Sequence, residues 1–581
     1  MKALFSLRGF DTFLWLVLLA GVSPAGAQDP APAESETVKL PVFQVTESPD
    51  LPPPESWRYA RVGPFEVLSN ASDRATRSLV ADFGMFSRAM SLVWPAPTQP
   101  LAAATLILCG KDAMFDAFPP AGTVKNEAIV PSVFLRNREQ VAIVVDVETN
   151  RTAIDPANLT LEVATGADYE VDHYKQLYRE YVRYLISQSQ VRPPVWLEEG
   201  LAQIVMDIEL FDTALIYGKI NSRQGAVAGG QSVGSDGSDP MANTDAVVGE
   251  QPFNVVLQHR KLIPLDRFFA LTADDPATQN PLGNNFWAKQ AYLFVHFCLF
   301  GEDLRHQQAL STFVSRLARE PLSEALFKEC FKTDYAGMTK ELRSYLLHTR
   351  HKYQRYPLQK GDQLTPRSVE LREATPAEVA LIKGDALRLA GHVGPALEAY
   401  RSGYLRGARE PALLAGLGVT ESALNHPVRA RELLEPAVKA GVRRPSAYVE
   451  LARLRLAEAT AKPATNGKLS PAQLGAVLTP LFEARKQTPP LPETYELIAT
   501  AWSRSAAAPT PENLGVLDEG IRAFPRNSAL LYSAAQLYNQ AGAPVIAGSI
   551  AKLGLRFPAD DTAKAKFEQL LATLPPTPPA N

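Results

Sequence analysis

The sequence predicts an α+β domain followed by an all-α solenoid, and three observations predict it. The first half alternates short β-branched runs with stretches of helical periodicity. From Thr375 onward the chain turns rich in alanine and leucine, with small residues recurring every 34 positions. A polar, proline-containing stretch, residues 356–374, lies between the two.

The chain has 581 residues, 46% of them hydrophobic and 21% charged, as in ordinary globular proteins of several domains. A net charge of -3 gives no electrostatic reason to expect nucleic acid or an anionic membrane as partner. Cys109, Cys298 and Cys330 are the only cysteines, without metal-ligand spacing, and each reads as a small buried hydrophobe.

Lys2 and Arg8, the apolar run 13–22 and Ala25-Gly26-Ala27 follow one another as in a secretory signal peptide, expected to span residues 1–27. The run is shorter than the roughly 20 residues a spanning helix needs, so no integral membrane segment is expected after cleavage. The expected location is therefore periplasmic or extracellular. Residues 28–56, with Pro-Ala-Pro and Pro-Pro-Pro, read as an extended linker. Order is expected from Trp57: strands at 65–70, 104–109 and 140–147, a helix at 75–92 and a short one at 113–118. Residues 222–250, rich in Gly and Ser, read as a long loop, and 575–581 as a disordered tail.

Two phrases carry the chemistry. Tyr178-Arg179-Glu180-Tyr181-Val182-Arg183 lies on an expected helix with Leu177, Tyr178, Tyr181 and Val182 on its apolar arc and Gln176, Arg179, Glu180 and Arg183 on the other. Trp196-Leu197-Glu198-Glu199-Gly200-Leu201-Ala202 follows, entered through Pro193-Pro194. With the strand and helix order before them and Phe286-Trp287-Ala288-Lys289-Gln290-Ala291-Tyr292 after them, these phrases resemble the gluzincin-type, peptidase MA-like domains of exported bacterial proteins, fused to tetratricopeptide repeats. The resemblance covers roughly residues 57–355, closing in a helical cap at 323–347, and implies a zincin-like fold. In that family His-Glu-x-x-His supplies two zinc ligands and the general base, and the Glu of Trp-Leu-x-Glu-Gly supplies the third ligand.

Here both histidines are replaced by arginine. A guanidinium has no free lone pair and stays protonated at any working pH, so Arg179 and Arg183 cannot bind zinc. The resemblance leaves Glu180 at the general-base position and Glu199 at the third-ligand position, with Arg179, Arg183 and Glu199 as vestigial ligand positions. No zinc or other cofactor is expected. Two readings stand for the four residues: an ion-pair cluster of Arg179, Glu180, Arg183 and Glu199, or a solvated helix face with acids in the first turn of the next helix. No other histidine supplies a ligand: His173 lies about 9 Å along the axis from Arg179, His296 reads as a core residue, and His348 and His351 read as a surface helix end.

In the solenoid, Gly384, Gly418 and Ala452 are spaced by 34, as are Ala396 and Ala430, with Tyr400 and Leu434 each four residues further on. These are the small and bulky positions of a tetratricopeptide (TPR) unit, and about five units are expected over 375–574, interrupted at 461–470. The reading is a non-catalytic, exported pseudo-metallopeptidase and TPR scaffold that binds a protein or peptide on its concave surface. The alternatives are an active metal-dependent peptidase with unconventional ligands, and a TPR interaction protein whose first domain is a spacer.

Overall fold

Six strands form the wall on which the first half is built: β1 (Arg58–Val62), β2 (Phe65–Ser69), β3 (Ala103–Cys109), β4 (Ser132–Arg136), β5 (Gln140–Asp146) and β9 (Arg372–Glu373). The computed structural model describes residues 55–94, 103–110, 114–120, 130–147, 173–188, 192–220, 253–278, 283, 285–301, 305–347, 351–359, 362, 364–463 and 467–575. The expected signal peptide, nearly all of the linker 28–56, the loop 222–250 and residues 576–581 lie outside them. The sheet order is β4-β5-β3-β2-β1-β9. β2, β3 and β5 run parallel, and β4, β1 and β9 are antiparallel to their neighbours.

Helix α1 (Asp73–Val93) returns the chain from β2 to β3; Ser72 caps it by accepting from the Ala75 amide. Because strand side chains alternate, the sheet has two apolar faces. Phe65, Val67, Leu106, Leu108, Ile143 and Val145 pack with α1 and the helices that follow. Leu68, Ile107, Cys109, Ala142 and Val144 point the other way and share a core with the solenoid.

After the sheet come α2 (His173–Ser187), α3 (Val195–Met206), the hairpin of β6 (Glu209–Phe211) and β7 (Ala214–Tyr217), α4 (Phe253–Leu257), α5 (Leu265–Ala270) and α6 (Phe286–Phe300). Helices α7 (Arg305–Leu317), α8 (Glu324–Phe331) and α9 (Tyr335–Leu346) close the domain. The segment 356–374, expected as a link, is tied into both sheets. Its start belongs to β8 (Gln354–Pro357), which pairs with β7, and its end is β9 on β1. Leu364 between them is buried in the first-domain core. Backbone ladders and a few scattered apolar side chains, Leu364, Val369 and Leu371, make these ties; their lack of periodicity is why composition reads the stretch as a linker.

The C-terminal region is mostly helical: α10 (Pro376–Leu389), α11 (Val393–Leu405), α12 (Pro411–Ala423), α13 (Pro427–Lys439), α14 (Pro445–Ala461), α15 (Pro471–Arg485), α16 (Pro492–Ser503), α17 (Pro511–Ala523), α18 (Ser528–Gln540), α19 (Pro544–Arg556) and α20 (Asp561–Thr573). They form consecutive pairs with one final helix, and the first members of successive pairs touch one another along the array. A Cβ on Gly384 would stand 2.5 Å from the Tyr400 ring, and one on Gly418 would stand 2.8 Å from Leu434 Cγ. Ala396, Ala430 and Ala452 are fully buried. The 34-residue period is thus the spacing at which a small residue admits the bulky side chain of its partner helix.

The solenoid does not hang free of the sheet. At the β4–β5 turn, Asn137 Oδ1 accepts from the amides of Glu139 and Gln140, which holds the turn tight. The Glu139 carboxylate accepts from the Ser446 amide at 2.9 Å and from the Ser446 hydroxyl, at the start of α14. Gln140 donates to Asp385 on α10, at 2.8 Å, and Asp385 also accepts from Arg444 and from the Tyr400 hydroxyl. Arg138 lies over the Phe524 ring, 5.0 Å from its centre. One turn of the first domain therefore touches three parts of the helical array.

Candidate functional site

Helix α2 is held by aromatic residues on one side. Tyr178 stacks on Phe86 at 3.8 Å and donates to Asp82, while Tyr181 bonds Ser87, so this arc lies on α1. The opposite arc is not solvated: Gln176, Arg179 and Glu180 are buried, and only Arg183 keeps some exposure, 18% of its side chain. The polar arc faces β4, β5 and α3 rather than water.

Helix α3 is anchored by Trp196, whose ring meets Phe269 and Phe294 edge-on at 5.2 and 5.4 Å. Gly200 lies where α3 crosses α6, and a Cβ there would come within 2.6 Å of the Ala291 carbonyl oxygen. The Trp-Leu-x-Glu-Gly phrase thus sets how deeply α3 sits, and this depth brings Glu199 under α2.

The two helices bring Arg179, Glu180, Arg183 and Glu199 together. Arg179 Nη2 donates to both Glu199 oxygens, at 3.1 and 2.9 Å, and its Nη1 donates to Glu180 Oε1 at 3.1 Å. Arg183 donates to Glu199 Oε2 at 2.9 Å and to Glu180 Oε2 at 3.4 Å. Every oxygen of both carboxylates therefore accepts from a guanidinium. Burial by itself raises the Glu199 pKa, but the charges of Arg179 and Arg183 and a bond from Gln203 outweigh it and hold that carboxyl at about 2. Burial likewise opposes the Arg183 charge, and Glu180 and Glu199 more than restore it.

Sequence reasoning missed four further members. Ser132 Oγ donates to Glu180 Oε1 at 3.3 Å from β4. Gln203, one turn beyond Glu199, donates to Glu199 Oε1 at 2.9 Å and to the Gly283 carbonyl, and Lys289 donates to Gln203 Oε1 at 3.2 Å. Gly283, at φ +66, lies directly on the cluster: a Cβ there would stand 2.7 Å from Glu199 Oε1 and 2.8 Å from Arg179 Nε. A lysine inside the apolar run 286–300 and a glutamine at i+4 from Glu199 were the signals available; Ser132 and Gly283 carried none. Beside the cluster, Glu198 pairs with Arg136 on β4 at 3.0 Å.

The donor set does not fit a zinc ion. The two positions that would need lone pairs carry cations, and both carboxylates are engaged. Among the described residues no group of three or more His, Cys, Asp and Glu is placed to hold a metal. His296 is buried with both ring nitrogens bonded, to the Tyr345 hydroxyl at 2.9 Å and the Gly218 carbonyl at 2.7 Å. His351, read as part of a surface helix end, instead packs on the Tyr345 ring at 4.7 Å, because the chain turns back there toward β8. His348 lies outside the described residues. Among the described residues no helix is long and apolar enough to cross a membrane.

No protein-family model matches the sequence, and no curated protein matches it. Solved structures similar to the chain include a thermophilic TPR protein of Thermus thermophilus, at 17% identity over 33% of this chain and 97% of that one, with a TM-score of 0.26. YrrB, described as a TPR protein with an unusual peptide-binding site, is similar at 13% identity over 32% and 88%, TM-score 0.26. Yeast Tom70 is similar at 11% identity over 70% and 75%, TM-score 0.26. At such scores the repeat assignment rests on the helix pairs and their small-residue contacts in this chain.

Proposed function

We propose that this protein is an exported, non-catalytic scaffold: a pseudo-metallopeptidase domain of zincin-like ancestry joined to TPR-type repeats that bind a protein or peptide on their concave face. The observation that carries the reading is the buried cluster, whose two guanidinium groups stand at the sequence positions where the resembling peptidases carry zinc-binding histidines. A metal there would supply a polarised carbonyl and an activated water. The arginines supply positive charge but no open coordination position. Glu180 accepts from Arg179, Arg183 and Ser132, so both its oxygens are already engaged and neither is aimed at an attacking water. The cluster fixes α2 to α3 and closes the old cleft from within, while Gly283 covers it from the other side.

The test is elemental analysis of the full chain after incubation with excess zinc and buffer exchange, together with a peptide-hydrolysis assay. Near-zero zinc and no hydrolysis are expected. About one zinc per chain, lost on Glu199→Ala, or hydrolysis abolished by Glu180→Gln, would overturn the reading. Export is tested by the N-terminal sequence of the mature protein, expected to begin after Ala27.

A further inference from the structure

Far from the arginine–glutamate cluster, residues 364–371 cross the first domain as a strap before entering β9. Leu364 is buried at one end, and Val369 and Leu371 pack against the first-domain core at the other. Between the strap, β1 and α1 lies a cavity of about 450 Å³, within the roughly 300–1,000 Å³ of small-ligand sites. Its lining includes the apolar Val62, Val80 and Gly84. A Cβ on Gly84 would stand 3.3 Å from Val62 and 3.7 Å from Arg88 Nη1, so a larger side chain there would push into this wall of the cavity.

Charge in the lining is one-sided: Arg61, Arg88, Arg367 and Arg372 against Glu370. Arg372 is engaged by Glu378 at the start of α10. Arg88 donates to the Thr365 carbonyl at 2.6 Å and, among the described residues, to no carboxylate. Arg61 and Arg367 make no hydrogen bond or ion pair among the described residues. Burial and the neighbouring charge of Arg367 lower the Arg88 pKa below its ordinary value. Arg61 and Arg367 are exposed and Arg88 half-buried, so the lining carries a net positive charge facing a half-open hollow, which attracts an anion.

We propose that this cavity binds a small organic oxyanion, a carboxylate or phosphate monoester on an apolar body, with Arg61, Arg88 and Arg367 holding the head group. The planar guanidinium fork suits both head groups, and the partly exposed Val62 and Val369 take the apolar body. The strap leads through β9 to α10, so an occupied site pins the junction between sheet and solenoid.

Calorimetric titration of the full chain with octanoate, octyl phosphate, inorganic phosphate and octylammonium tests this. Saturable one-site binding of octanoate or octyl phosphate is expected, and the tighter of the two identifies the head group. Binding should weaken at least tenfold in Arg61→Ala/Arg367→Ala, two exposed positions whose loss leaves the melting temperature in place, and also in Gly84→Val. No binding of either octyl anion at about 10 mM, well above small-ligand working affinities, overturns the proposal. So does equal binding of octylammonium, or an unchanged affinity in the double variant. Inorganic phosphate binding as tightly as octyl phosphate overturns the apolar half.

Discussion

Replacing Glu199 with glutamine keeps the shape of the cluster and removes the charge that Arg179 and Arg183 share. The Glu199 pKa falls from an ordinary 4.5 to about 2 in the fold. At 1.36 kcal/mol per pH unit, that interval is worth about 3 kcal/mol. The contribution is fully present above 4.5, where the carboxyl is ionised folded and unfolded alike, and is lost as pH falls through about 2, because the unfolded chain takes up the proton first. Glu199→Gln should therefore cost about 3 kcal/mol at pH 7, and more if the stranded guanidinium groups cannot reach water, up to the roughly 3–5 kcal/mol of a broken buried pair. By pH 3.5 the wild type has itself lost about 1 kcal/mol of this term, so the two proteins should draw together. Urea unfolding followed by tryptophan fluorescence, at intervals between pH 7 and pH 3, reads the difference. A Glu199→Gln penalty below about 1 kcal/mol at pH 7, or one that stays constant down to pH 3, would refute the argument that this carboxylate is held by buried guanidinium charge.

Burial lowers the His296 pKa from 6.5 to about 3, so the unfolded chain binds its proton first and stability falls as pH drops from 6.5 toward 3, by about 5 kcal/mol over the whole interval. His296→Gln should flatten the stability profile between pH 6.5 and 4.5, above the window of Glu199, and a slope equal to wild type there would refute it. Gly283→Ala meets both a positive φ and the cluster below it and should lower stability by about 1–3 kcal/mol, checked by thermal melting. Gly384→Val drives a branched side chain into Tyr400; a loss of about 1–3 kcal/mol is expected, and an unchanged melt would show that the helix pair has room to spare.

Much of the framework was legible because periodicity speaks directly. Strands β2, β3 and β5, helices α1 and α2 and the 34-residue pairs fall within a few residues of their expected places. The burial of Arg179 was not legible, since a polar arc on an amphipathic helix reads equally as a wet face or as a face turned to other polar groups. What decides it is the depth of α3, set by Gly200 against α6, and that depends on residues about 90 positions further on. Gly283 escaped for the same reason, because its role exists only once α2 and α3 have met. β1, β4 and β6–β9 were missed because they are short or edge strands with weak alternation.

The shared sheet has a consequence for the order in which the chain acquires its structure. Ile107, Cys109 and Val144 belong to strands made early in synthesis, yet the helices that cover them, and the β9 strand that completes the edge, arrive more than 200 residues later. The first half cannot finish as an independent folding unit ahead of the second. Contacts so distant in sequence form slowly, and until α10 docks, that face is an open invitation to aggregation. A ribosome-released fragment ending near residue 370 should stay chaperone-bound, whereas the whole chain closes over its own wall.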